Sequence, residues 1–124
     1  MLLFQYPKCS TCKKAVKFLD DNNISYQSRN IKEDNPDFEE LKDICEKSGL
    51  PVRKFFNTSG MLYRSMGLKD KLDNMSDNEM LELLASDGML VKRPILVTDT
   101  AVLIGFKENI WKEMLNLWFQ KLLL

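Results

Sequence analysis

Along the chain the spacing of apolar residues changes several times, and each change marks an element. Residues 2–6 (LLFQY) are apolar and β-prone and stop at Pro7, which predicts a short first strand. From Thr11 to about Asn22 the period becomes helical. Cys12, Ala15, Val16 and Leu19 fall at i, i+3, i+4 and i+7, one face of a helix. DDNN gives that helix a polar stop, and residues 25–31 (SYQSRNI) predict a second strand. DNPD at 34–37 reads as a helix start, with Asn35 as cap and Pro36 in the first turn. This helix should run to Ser48 and leave through Gly49, with Phe38, Leu41 and Cys45 on one face. Leu50 and Pro51 open a shorter helical piece (VRKFF), NTSG predicts a loop, and GLKDKLDN an irregular connection.

Ser76 and Glu79 form a capping box for a helix through EMLELLAS, with Gly88 as its exit. PILVT, a turn at Asp99 and Thr100, and AVLIG predict a β-hairpin with both strands buried. From Glu108 to about Lys121 the chain reads as a helix carrying Ile110, Trp111, Met114, Leu115, Leu117, Trp118 and Phe119. These cover more than one face, so the helix docks on the sheet or offers part of itself to a partner. The order is β-α-β, a helical block, then β-β-α. It predicts one α/β domain over residues 1–124 with a helical insertion at about 36–90. There is no internal repeat, low-complexity tract or linker.

Composition narrows the function more than the fold. A length of 124 residues suits one compact domain. Lysine plus arginine equals aspartate plus glutamate at 18 each, so no basic excess supports direct nucleic-acid binding by bulk charge. No apolar run nears the ~20 residues that span a bilayer, and Lys8 and Cys9 break the first apolar stretch too early for a signal peptide. A cytoplasmic protein with no membrane partner is expected.

The chain has 3 cysteines and no histidine. That removes Cys–His catalysis and imidazole metal ligation. In a reducing compartment a cysteine pair is catalytic, redox-sensing or metal-binding rather than part of a disulfide framework. Cys9 and Cys12 form a C-x-x-C where the first strand gives way to the first helix, the place where thioredoxin-like folds hold a redox pair. Unpaired N–H groups of the first helical turn and the helix dipole favour a thiolate there. Lys8, Lys13 and Lys14 add positive charge nearby, and such surroundings lower a thiol pKa. Cys12 shares the apolar stripe and should be buried. Cys9 precedes the helix and should be open, so Cys9 is the expected nucleophile and Cys12 the resolving thiol. Two plainer readings stand beside this one. A zinc half-site would need two more ligands, and only Cys45 remains, on the apolar face of another helix. The pair could also be two ordinary structural cysteines. No metal is expected, and no phosphate loop, paired-carboxylate site or cofactor fingerprint is present.

The segments YPKCSTCKKA, SGLPVRKFFNTSGMLYRSMGLKDKL, LLASDGMLVKRPILV and IGFKE give the chain, over nearly its whole length, a resemblance to the arsenate reductase-related (ArsC/Spx) family. The resemblance implies a thioredoxin-like fold with a mixed four-stranded sheet. It puts Cys9 on the family's nucleophile. Arg93, in the RPI element, falls where an arginine beside the thiol holds an oxyanion or a thiolate. Pro94 falls on the proline that is cis in thioredoxin-like folds. Arsenate reductases of this family use two further arginines, and Asn57 and Phe106 stand at those positions here. They also lack a cysteine at the position of Cys12.

A dithiol that exchanges with disulfides or other oxidised substrates therefore fits better than efficient arsenate reduction. The expected protein is a thiol–disulfide redox protein with no bound cofactor, reduced by an external thiol or a thioredoxin-type system. A weak arsenate reductase is one alternative. The other follows the Spx branch, which shares the C-x-x-C: a redox-switched transcriptional regulator that binds the RNA polymerase α subunit.

Overall fold

The computed structural model describes residues 1–123, with side chains to residue 116. Strand β1 (Leu2–Gln5) lies inside a four-stranded sheet of order β2-β1-β3-β4. It pairs in parallel with β2 (Gln27–Asn30) and antiparallel with β3 (Ile95–Val97). β3 then turns into antiparallel β4 (Val102–Ile104). This is the mixed α/β sheet expected from the sequence. Leu3 and Phe4 are both fully buried because successive strand residues point to opposite faces and both faces are covered.

On Leu3's side pack Ala15 and Leu19 of α1 (Ser10–Asp21) and Trp111 and Leu115 of α6 (Glu108–Leu123). The buried indole of Trp111 donates from Nε1 to the Gly105 carbonyl at 3.0 Å, which satisfies its polar end. Ile110 and Met114 lie on the exposed side of α6. The sequence positions Leu117, Trp118 and Phe119 lie outside the described side chains. On Phe4's side pack Leu41, Ile44 and Cys45 of α2 (Phe38–Ser48) and Leu81 and Leu84 of α5 (Asp77–Ser86). Phe55 joins them from a 3₁₀ turn over Val52–Phe55.

Several local expectations change. The cap of α2 is Asp37, in a capping box with Glu40, and Pro36 stays outside the helix. Asn35 is used elsewhere: its Nδ2 donates to the Ala85 carbonyl at 2.7 Å, joining the approach to α2 to the end of α5. GLKDKLDN is helical rather than irregular. After α3 (Met61–Ser65) it forms α4 (Leu68–Lys71) and a 3₁₀ turn (Leu72–Asn74), and burial of Leu68 and Leu72 at i and i+4 holds it on the core. Ser76 and Glu79 form their box at the start of α5 as read. β4 is an edge strand in which Leu103 is buried and Val102 and Ile104 are half-buried, so the hairpin is not buried throughout. Among the described residues no helix is long and apolar enough to cross a membrane.

Candidate redox site

Pro7 and Lys8 turn the chain from β1 into α1, and the Cys9 N–H closes the turn on the Tyr6 carbonyl at 2.9 Å. Cys9 then takes an extended conformation (φ −87°, ψ 121°) as the N-cap of α1. Serine or aspartate usually fills this position, accepting a hydrogen bond from the first turn. Here the acceptor is the Cys9 sulfur, which receives the Cys12 N–H at 3.4 Å.

Burial pushes the Cys9 thiol up, but the opposing influences win. They are, in order, a hydrogen bond from the Cys12 thiol, the Cys12 N–H, the charge of Arg93 and the Thr11 N–H, and they leave the thiol below its ordinary value. Cys12 behaves in the opposite sense. It is fully buried, and its thiol is pushed up to about 12, first by burial and then, against the Tyr6 N–H, by the Cys9 sulfur. Tyr6 N–H donates to Cys12 Sγ at 3.5 Å. The half-buried sulfur is thus the more acidic of the pair, and the buried sulfur holds its proton the more tightly. Both thiols are free, as is Cys45.

The cation that acts on Cys9 is Arg93. Its guanidinium lies over the Tyr6 ring at 5.4 Å, and Nη1 donates to the Met89 carbonyl at 3.5 Å. The Arg93–Pro94 peptide bond is cis. Lys8 is exposed in the turn. Lys13 lines a separate groove with Gln5, Pro7 and Val16, and Lys14 a cavity beside Phe18 and Phe106. Neither lysine lines the cleft beside Cys9, and neither charge is among those that lower its thiol. Arg93, not these lysines, supplies the positive charge expected there.

Beside Cys9 opens a cleft of about 590 Å³, walled by Asn57 and the loop after it, by Asp87 and Met89, and by Arg93. Its far wall belongs to the helical block and is tied to the segment leading into β3. Asn57 N–H donates to Leu90 O at 2.8 Å, Lys92 N–H to Phe55 O at 2.7 Å, and Phe56 forms an antiparallel bridge with Val91. Asn57 therefore sits at the cleft but brings no charge, and its Oδ1 accepts the Ser59 hydroxyl at 3.2 Å. Phe106 is not part of the cleft; its ring packs 5.0 Å from Trp111 and 5.7 Å from Phe18.

Among the described residues no group of three or more His, Cys, Asp or Glu side chains is placed to hold a metal ion. Cys45 is a core residue of α2, and burial pushes its thiol up to about 11, with Asp77 and Glu46 adding to the effect.

Sequence reasoning missed Tyr6, Asp87 and Met89. Tyr6 was read as a strand residue, although its place just before the P-x-C turn was the available signal. Asp87 and Met89 flank Gly88, which drew attention only as a helix exit.

A C-x-x-C on the first helix N-terminus of a β-α-β and β-β-α sheet, with a cis proline leading into the third strand, defines a thioredoxin-like α/β protein. Within that class the chain belongs to the ArsC family, whose family model matches residues 4–114. The uncharacterised protein YusI of Bacillus subtilis is 51% identical over 113 residues, covering 91% of this chain and 96% of that one. The solved structure of an ArsC family related protein from Bacteroides fragilis is 54% identical with a TM-score of 0.87, covering 90% of this chain and 94% of the other. The global transcriptional regulator Spx of Enterococcus faecalis is 27% identical over 109 residues, covering 88% of this chain and 81% of Spx. Family membership places the protein's role in redox chemistry at the level of the family.

Proposed function

We propose that the protein is a cytoplasmic thiol–disulfide oxidoreductase with Cys9 as nucleophile and Cys12 as resolving thiol. The observation that carries this reading is the N-cap sulfur of Cys9, held by the Cys12 N–H at 3.4 Å and lowered in pKa, beside a buried Cys12 raised to about 12. In the first step the Cys9 thiolate attacks one sulfur of a substrate disulfide. A Cys9–substrate bond forms, the substrate S–S bond breaks, and the other half leaves as a thiolate. Cys9 then no longer carries the negative charge that helped hold the proton on Cys12.

Cys12 loses its proton to solvent and attacks the Cys9 sulfur, and the second substrate thiolate departs. The protein is left with a Cys9–Cys12 disulfide, having given up two electrons. Arg93 stabilises the anionic sulfur before attack. An external thiol or a thioredoxin-type protein returns the electrons, with no bound cofactor. A weak arsenate reductase activity is a minor reading, because Arg93 is the only arginine among the residues lining the cleft. The Spx-like reading, with the RNA polymerase α subunit as partner, rests on resemblance alone and comes second.

The test is trapping. Incubated with hydroxyethyl disulfide, Cys12→Ser should accumulate a stable adduct on Cys9 by mass spectrometry, while the unsubstituted protein proceeds to the intramolecular disulfide. Cys9→Ser should react at least about tenfold more slowly, since the remaining Cys12 thiol is fully buried and burial is the first cause that holds its proton. Equal reactivity of the two variants would contradict the assignment.

A further inference from the structure

We infer that the cleft beside Cys9 selects disulfides of amino-acid type, which carry an ammonium and a carboxylate together, and that Asp87 is the residue that reads the ammonium. This rests on the oxidoreductase reading and names its substrate class. Asp87 and Arg93 bring opposite charges to the cleft beside the Cys9 sulfur, and the remaining lining residues are uncharged. One short turn, Gly88–Leu90, fixes the two relative to each other. The N–H of Met89 donates to Asp87 Oδ1 at 2.8 Å, and the carbonyl of the same Met89 accepts from Arg93 Nη1. The turn itself is anchored, because Gly88 approaches Ile31 so closely that a Cβ would lie 1.7 Å from the Ile31 carbonyl oxygen.

Both charges keep bonding capacity. A carboxylate accepts through two oxygens and a guanidinium carries five N–H donors, so one backbone contact each leaves room for a ligand. An α-amino acid presents the complementary pair of charges on one carbon. Met61, Leu62 and Met89 supply apolar wall for the carbon and sulfur stem. The volume of about 590 Å³ lies within the range of small-molecule sites, about 300–1,000 Å³. A dianion entering the cleft meets the Asp87 carboxylate, a dication meets the Arg93 guanidinium, and a neutral disulfide gains from neither.

The experiment measures second-order rates of Cys9 oxidation in the reduced full-length protein at pH 7 and low salt. The probes are cystine, cystamine, dithiodiglycolate and hydroxyethyl disulfide, each rate divided by that of mercaptoethanol with the same probe to remove intrinsic reactivity. Cystine should lead. In Asp87→Asn, which keeps an acceptor for the Met89 N–H, the cystine-to-hydroxyethyl-disulfide ratio should fall about fivefold, the scale of one exposed charge pair. Raising the salt to 1 M should lower the same ratio in the unsubstituted protein. Equal normalised rates for cystine and hydroxyethyl disulfide, or a ratio unchanged by the substitution, would overturn the selectivity while leaving the thiol chemistry standing. Failure of every probe, the neutral one included, would overturn the oxidoreductase reading and this inference with it.

Discussion

Cys9 and Cys12 belong to one helical turn, yet burial and hydrogen bonding drive their thiols in opposite directions. The consequence reaches beyond chemistry to stability. For Cys12 and Cys45 the folded thiol ionises later than the unfolded one, up to about 12 and about 11. Above the ordinary thiol value of about 8.5 the unfolded chain therefore releases protons that the folded chain keeps, and stability falls as pH rises. Cys9 acts with the opposite sign. Its lowered pKa adds stability as pH rises through the folded value, and that gain is complete by about 8.5. Net loss is thus expected on the alkaline side. At about 1.4 kcal/mol per pKa unit, Cys45 should account for about 2–3 kcal/mol between pH 9 and pH 11. Urea unfolding across that range should give a shallower decline for Cys45→Ala, whatever the cavity costs at neutral pH, and parallel declines would refute this.

At the level of elements, helix ends decided most of what the sequence could and could not say. The Ser76–Glu79 box was legible because both partners sit within one turn and nothing else competes for them. In DNPD the expected cap was Asn35, but Asn35 is engaged with Ala85, a partner 50 positions away in the chain, and Asp37 caps the helix instead. GLKDKLDN gave no long helical period, and its short helical turns rest on the core through Leu68 and Leu72. Gly88 was recognised, but its purpose was not. It stands at a backbone-to-backbone approach to Ile31 that leaves no space for a Cβ. Gly88→Ala should accordingly cost about 3 kcal/mol, the upper part of the usual overpacking range, and lower the thermal midpoint by about 10 °C. A variant melting within a degree or two of the parent would show that the turn yields easily.

Across the whole molecule, the site forms where three stretches distant in sequence meet: the turn after β1, the loop at 57–62 and the run from Asp87 to Arg93. The cysteine pair stood out because a local motif carries it, and Arg93 came only through the family resemblance of its RPI element. The cleft was not, because its walls are joined by long-range backbone bonds such as Asn57 to Leu90 and Lys92 to Phe55, which no local pattern encodes. The same arrangement sets the charge around the cleft. The helical block places Asn57 at the cleft, and Phe106 is drawn into the aromatic cluster with Phe18 and Trp111. A wall of mixed polar and apolar residues, with one cation and one anion, lies beside the Cys9 sulfur.

The central claim is that the fold activates Cys9 without histidine, and the rate of Cys9 alkylation by iodoacetamide as a function of pH tests it most directly. Followed by peptide mapping in the reduced protein, the rate should rise through a midpoint below the ordinary thiol value of about 8.5, with Cys12 and Cys45 unlabelled over the same range. A Cys9 midpoint at or above about 8.5, or labelling of Cys12 at a comparable rate, would contradict the account.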